Sequence, residues 1–252
     1  MFLQKIREAA IRFAISFVPV KLPTTEERRV EIALYRAHPV PPPRKTCGPL
    51  IVAMLGIVGS GKSAVAQLLA QHIGGALVIE GDAIRTLLRT QGSPLEGTHK
   101  IELNVGLEMT RSKGVVILDS DYIDAPKRAM LLNYAKAEKV KVIFVRTVCD
   151  LDVMFGRIMS ADAGEFFNGA SSKWPDERTK GAVVKLRELT ARLPLHYQYQ
   201  WGRGPLMRWI APGRGSWQLK ELPFPIFAEI NTTHESVWHD KAKAIARVLV
   251  NI

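Results

Sequence analysis

The chain has 252 residues, 47% of them apolar and 23% charged, and 35 lysines and arginines against 24 aspartates and glutamates leave a net charge of +11. This composition excludes a disordered chain, and no uncharged stretch reaches the roughly 20 apolar residues of a membrane span. Two cysteines, Cys47 and Cys149, cannot build a disulfide framework and predict a reducing, cytoplasmic setting.

Residues 1–48 read as an N-terminal helical extension and linker, with 9 basic and 4 acidic groups. Leu3, Ile6, Ala10, Phe13, Ala14 and Phe17 recur at helical spacing, with Lys5, Arg7 and Arg12 elsewhere around the turn. Such a helix either docks on the core or lies on an anionic membrane surface. Arg12 interrupts the apolar run and argues against a cleaved secretory signal; Glu8 argues against a mitochondrial presequence. A second helix is predicted from Thr24, with Glu27 as its capping-box partner. His38 to Pro49 (HPVPPPRKTCGP) is a stiff, extended linker.

From Leu50 onward strands and helices alternate, and residues 49–252 read as one domain. Strands are predicted at 50–55, 76–80, 115–119, 140–145 and 224–230. Helices are predicted at 62–73, 82–89, 98–113, 126–138, 151–159 and 234–250. The run 50–55 is apolar throughout, as a strand buried on both faces should be. The alternation predicts a parallel sheet covered by helices on both faces, a three-layer α/β/α fold.

Gly56-Ile57-Val58-Gly59-Ser60-Gly61-Lys62-Ser63 fits the pattern G-x-x-x-x-G-K-[ST], with a buried strand before it and a helix after it. Its glycines let backbone N–H groups wrap an anion, and the following helix, starting near Lys62, adds its positive dipole end. The predicted nucleotide-binding residues are Gly56, Val58, Gly59, Ser60, Gly61, Lys62, Ser63 and Ala64. Lys62 can bridge terminal phosphates and Ser63 can ligate Mg²⁺, so ATP and Mg²⁺ are the predicted cofactors. No N-K-x-D guanine reader is present, and Asp119-Ser120-Asp121-Tyr122 stands where a GTPase switch D-x-x-G would follow the third strand. A small kinase is the best fit to what remains.

Asp82 follows the second strand, in the crevice where ligands of such sheets sit, and can accept a proton from a substrate hydroxyl. Arg85 lies one turn on and can fork onto an acceptor phosphate or carboxylate. Asp82 as a helix cap with Arg85 on the surface is the plainer alternative. One of Asp119 and Asp121 is expected to hold Mg²⁺, with Asp119 preferred. Lys127 and Arg128, on the helix that follows, face either substrate or solvent. Arg157, on the helix after the fourth strand, sits where a kinase lid arginine is expected, whose role would be to neutralise charge on a transferring phosphoryl group.

The runs GIVGSGKS, VIEGDAIR, GVVILDSDYIDAPKR and CDLDVMFGR together resemble the polynucleotide-kinase branch of P-loop kinases (an AAA_33-type NTPase domain), which is itself similar to adenylylsulfate kinases and zeta toxins. The resemblance covers roughly residues 50–160, and the closing FAEINTTHESVWHDKAKAIARVL follows the general kinase pattern. It implies a P-loop NTPase fold with five parallel strands and the P-loop strand central. It also implies Asp82 as general base, Arg85 as acceptor binder and Arg157 as lid arginine. Kinases of this branch carry a second lid arginine about four residues after the first; here Ala161 holds that place, and Arg178 is a candidate substitute.

Residues 160–222 break the rhythm as a lid and insert. Small and polar types fill 160–177, as a mobile lid requires. Residues 178–198 predict a basic helix. Trp201, Trp209 and Trp217 then alternate with Arg203, Arg208, Arg214 and Lys220. That pattern suits base stacking with phosphate contact, or else a hairpin of Met207–Ile210 with Ser216–Leu219 packed on the lid helix. The expected activity is transfer of the γ-phosphoryl group of ATP to a hydroxyl of a nucleic acid, a nucleotide or a small metabolite. Lys62, Asp82 and Arg157 would serve catalysis; Asp82, Arg85 and Arg128 would bind substrate; Ser63 and Asp119 would hold the metal. The alternative is a P-loop NTPase that binds nucleic acid without phosphorylating an acceptor. The possible partners beyond the nucleotide are nucleic acid or a phosphorylated small-molecule acceptor, with no transmembrane segment.

Overall fold

The computed structural model describes residues 28–33, 48–93, 95–160, 182–201 and 215–251. The predicted helix at residues 3–17, the Thr24 cap, Ala161, Arg178 and the strand at 207–210 lie outside them; residues 28–33 are helical. In chain order the elements are β1 (Leu50–Leu55), α1 (Lys62–Ile73), β2 (Leu77–Glu80), α2 (Gly81–Thr90), α3 (Thr98–Lys113) and β3 (Val115–Asp119). Then follow α4 (Ala125–Ala137), β4 (Lys141–Val148), α5 (Leu151–Ser160) and α6 (Ala182–His196). β5 (Tyr197–Gln200), β6 (Ser216–Leu219), β7 (Ala228–Asn231) and α7 (Glu235–Leu249) complete the described chain.

β1 is apolar at every position because it is buried at every position. Its alternate residues feed two cores, as the period of a strand dictates. Ile51, Ala53 and Leu55 pack with Ile84 and Leu88 of α2, Ile101 and Val105 of α3, and Leu131 and Ala135 of α4. Leu50, Val52 and Met54 pack on the other face with Val65, Leu69 and Ile73 of α1 and with Trp238, Ala242 and Leu249 of α7. Each such side chain contributes about 1.5–3 kcal/mol on burial, so this strand anchors both layers.

The five strands run parallel in the order β2-β3-β1-β4-β7. Val52 stands level with Ile117 of β3 and Ile143 of β4, which places β1 at the centre. β5 and β6 form a separate antiparallel hairpin. A third core joins this insert to the sheet: Ile57, Met154 and Ile158 meet Leu189, Leu193 and Tyr197.

Three elements differ from their sequence-based expectation. β4 continues through Arg146 to Val148, because the buried Arg146 guanidinium donates to the carbonyls of Lys220 (2.9 Å) and His196 (3.2 Å). A strand can carry a buried charge when its donors are met. β7 begins at Ala228 rather than Phe224. Pro223 and Pro225 offer no N–H to a ladder, and Phe224 instead packs edge-on to Phe144, with centroids 5.3 Å apart. The predicted basic helix stops at His196, and Tyr197–Gln200 becomes the strand partner of β6.

Candidate functional site

The C-terminal ends of the parallel strands meet along one edge, the crevice where open α/β sheets place their ligands. β1 ends there in the glycine loop. The loop closes on itself, with Ser60 N–H donating to the Ile57 carbonyl (3.1 Å), and α1 starts at once, with Val65 N–H donating to Gly61 (3.0 Å). Gly56 has φ +149°, and a Cβ there would stand 2.2 Å from Thr147 Oγ1 and 2.6 Å from Ser60 Oγ. No other residue fits that position. Thr147 Oγ1 donates to the Leu55 carbonyl (3.1 Å), which leaves Ser60 as donor in the 2.9 Å bond between the two hydroxyls. From the far side Thr232 Oγ1 donates to the Ser60 carbonyl (3.0 Å). The loop is thus braced by the ends of β4 and β7.

Lys62 Nζ lies 3.4 Å from the Ile57 carbonyl, across the mouth of the loop. Arg157 sits on the outer side. One nitrogen of its guanidinium donates to Gly59 O (3.1 Å) and Thr232 Oγ1 (3.1 Å), the other to Thr232 O (2.5 Å). It braces the loop in this structure, where the sequence placed it over the transferring group.

The two aspartates behind β3 are set to different tasks. Asp121, its side chain 10% exposed, is engaged at both oxygens. Oδ1 accepts from the N–H groups of Gly56 and Ile123 (both 3.2 Å), and Oδ2 from Arg192 (2.7 and 3.1 Å) and from His196 Nε2 (2.9 Å). Burial acts to raise its pKa, but the bond and charge of His196 and the charges of Arg192 and Lys62 outweigh it and hold the carboxyl well below its ordinary range. Asp119 is buried and keeps Oδ1 with no hydrogen-bond partner. Burial raises its pKa against the opposing pull of Lys62 and Ser63. An unmet carboxylate oxygen beside a serine hydroxyl at the root of the glycine loop is the donor set a small, hard cation takes, so Ser63 and Asp119 fit Mg²⁺. Asp121 has no oxygen to spare for it.

Asp82 opens α2 directly from β2 and remains half-exposed; it pairs with Arg85 and, at 3.8 Å, with Lys185 of α6. Burial would raise its pKa, but Arg85, Lys185 and Lys62 together lower it. Arg128 is directed elsewhere. It is buried, donates to the carbonyls of Tyr122 (3.2 Å) and Ile123 (2.8 Å), and stacks 3.7 Å from the centroid of Phe224. It holds the turn after β3 rather than opening into the crevice. Its neighbour Lys127 is buried against Glu102 (3.3 Å) and the ring of Tyr122.

Sequence reasoning missed Thr147, Thr232, Lys185, Arg192 and His196. One signal was legible: Lys185, Leu189, Leu193 and His196 fall on a single helical face, and all four are buried. The threonines had no signal, because their partners come from distant strands.

A five-stranded parallel sheet with a central strand entering a G-x-x-x-x-G-K-[ST] loop and helices on both faces is the three-layer P-loop NTPase fold. No protein-family model and no curated protein matches the chain. Among solved structures, it is similar to the Mycobacterium tuberculosis APS kinase in complex with AMPPNP and APS, at 17% identity over 82% of this chain and 99% of that one, with a TM-score of 0.46. Shikimate kinase from Acinetobacter baumannii, in complex with shikimate, aligns at 19% identity over 81% and 94% of the chains, TM-score 0.44. A gluconokinase from Sinorhizobium meliloti aligns at 17% over 82% and 95%, TM-score 0.44. At these values the chemistry has to be read from this chain's own residues.

Proposed function

We propose that the chain is an ATP-dependent phosphotransferase that moves the γ-phosphoryl group to a hydroxyl of a nucleic acid, a nucleotide or a small metabolite. One observation carries this reading: Asp82, just after β2 in the crevice of the glycine loop, is paired with Arg85 and stands 3.8 Å from Lys185, and these cations hold its carboxyl below the ordinary range. A carboxylate so placed can accept the proton of an acceptor hydroxyl.

The loop N–H groups and Lys62 would hold the phosphates. Ser63 and Asp119 would hold magnesium, which would supply charge neutralisation for the phosphates. In the transfer the bond from γ-phosphorus to the bridging oxygen breaks and its electron pair stays on ADP. A new bond forms from the acceptor oxygen to phosphorus, and the acceptor proton passes to Asp82. Because the transition state is loose, little base strength is needed, and a carboxylate of lowered pKa suffices to orient the hydroxyl. Arg85, now paired with Asp82, would turn to an anionic group on the acceptor. Arg157 would act through the loop by holding the Gly59 carbonyl.

The test is transfer from labelled ATP screened over nucleic-acid 5′ ends, nucleosides, nucleotides and small alcohols. Asp82→Asn is expected to lower kcat by about 10²–10⁴-fold and to leave ATP affinity intact. Unchanged transfer in that variant removes Asp82 from the mechanism. The hairpin favours a second reading, an NTPase that binds nucleic acid without an acceptor reaction. Trp201 and Trp217 flank Tyr199, with centroids 4.9 and 5.3 Å away, and both stay exposed (46% and 41%). Salt-dependent binding of single strands with no labelled product would select it.

A further inference from the structure

We propose that Lys185, which the insert helix α6 carries into the crevice, contacts the phosphoryl group as it passes from nucleotide to acceptor. This rests on the phosphotransferase reading above. The first argument is position. Lys185 lies on the buried face of α6 with Leu189, Leu193 and His196, and its side chain is 9% exposed. Lysine is almost never so buried without an anion to meet.

The second argument is distance. Lys185 Nζ stands 3.8 Å from Asp82 Oδ2 and 3.4 Å from Glu188 Oε2. The ammonium therefore stands beside Asp82, the carboxylate proposed to take the acceptor proton, where the acceptor hydroxyl must come.

The third argument is the company it keeps. Asp82 is ringed by Arg85 of α2, Lys185 of α6 and Lys62 of the glycine loop, three cations from three elements. A phosphoryl group leaving a nucleotide held by Lys62 for a hydroxyl held by Asp82 crosses the space between them. Among the described residues of the insert, Lys185 brings a positive charge to the receiving end of that path. Its place is set in advance. Further along α6, Arg192 and His196 both bind Asp121, and the same carboxylate accepts the N–H of Gly56. One aspartate thus ties the insert helix and the glycine loop into a single frame, the rigidity that electrostatic stabilisation of a transition state requires.

The test needs no knowledge of the acceptor. The full-length chain is titrated calorimetrically, with Mg²⁺ present, with ADP and with ADP plus aluminium fluoride, a mimic of the group in flight. Lys185→Met is expected to lose about 100-fold in affinity for the fluoride complex, the scale of removing one preorganised donor, and to bind ADP as the wild type does. Lys185→Arg should retain most of the affinity. Arg187→Met removes an exposed charge from the same helix and should change neither. Equal affinity of Lys185→Met and wild type for the fluoride complex overturns the proposal. So does a parallel loss of ADP binding, which marks a structural role, or an equal loss in Arg187→Met, which marks bulk charge. If Lys185→Met does not fold, Lys185→Gln carries the same expectation. A wild-type chain that binds neither ligand fails at the earlier step and sinks the nucleotide reading itself.

Discussion

Asp121 and Asp119 stand two residues apart with opposite electrostatics. Asp121 is stabilised as an anion by His196, Arg192 and Lys62 against the cost of burial. Its folded pKa lies below the ordinary 3.8, so it contributes stability above that value and loses it as pH falls through and below it. Asp121→Asn should therefore cost about 3 kcal/mol at neutral pH, the scale of breaking a buried ion pair. In urea unfolding the gap between variant and wild type should shrink as the pH is taken below 4, about the unfolded carboxylate value. A gap that does not change with pH would show that Asp121 acts by packing alone. Asp119 has the opposite sign: burial raises its folded pKa, so its ionised form weighs against the fold until a cation arrives. The sequence preferred Asp119 for the metal but showed no partner that would set Asp121 apart. Their tasks diverge because only Asp121 is reached by the insert helix.

At the scale of elements, the strands and helices of the sheet were legible from hydrophobic period alone, since each buries a face against its sequence neighbours. The insert was less so. Residues 197–200 carry no helix stop before them, and Pro194 sits inside α6 rather than ending it. They turn into a strand because β6 offers a ladder and the Tyr197 hydroxyl donates to the Cys149 carbonyl (3.0 Å). α5 invites a direct test of how far local propensity matters. Gly156 lies in its interior, exposed, and a Cβ added there would meet nothing within 4 Å. Gly156→Ala should raise stability by about 0.5–1 kcal/mol through helix propensity and lower chain entropy. Chemical denaturation of the two proteins measures it, and a destabilised variant would mean that α5 has a neighbour on that face.

For the whole molecule, the site couples ligand binding to stability. Among the described residues no helix is long and apolar enough to cross a membrane. The cradle draws on β1, β3, β4 and β7 at once, through Gly56, Asp119, Thr147 and Thr232. A ligand held there should therefore stabilise the entire sheet, by about 2.7 kcal/mol at a hundredfold excess over Kd. Thermal melting should show a rise in Tm with ATP that grows when Mg²⁺ is added. Asp119→Asn should keep the rise with ATP and lose the increment from Mg²⁺. If that increment survives, the metal is held elsewhere. The glycine loop, the strand before it, the helix after it and the alternation that builds the sheet were set by sequence alone. They depend on spacing along the chain, and local sterics and hydrophobic period act over a few residues. The pairing of Asp121 with Arg192 and His196, 71 and 75 residues away, was not so determined. Nor were the approach of Lys185 to Asp82 or the turning of Arg157 and Arg128 toward backbone carbonyls. Those contacts arise when a helix face docks, and spacing along a chain does not say which distant carboxylate or carbonyl that face will meet.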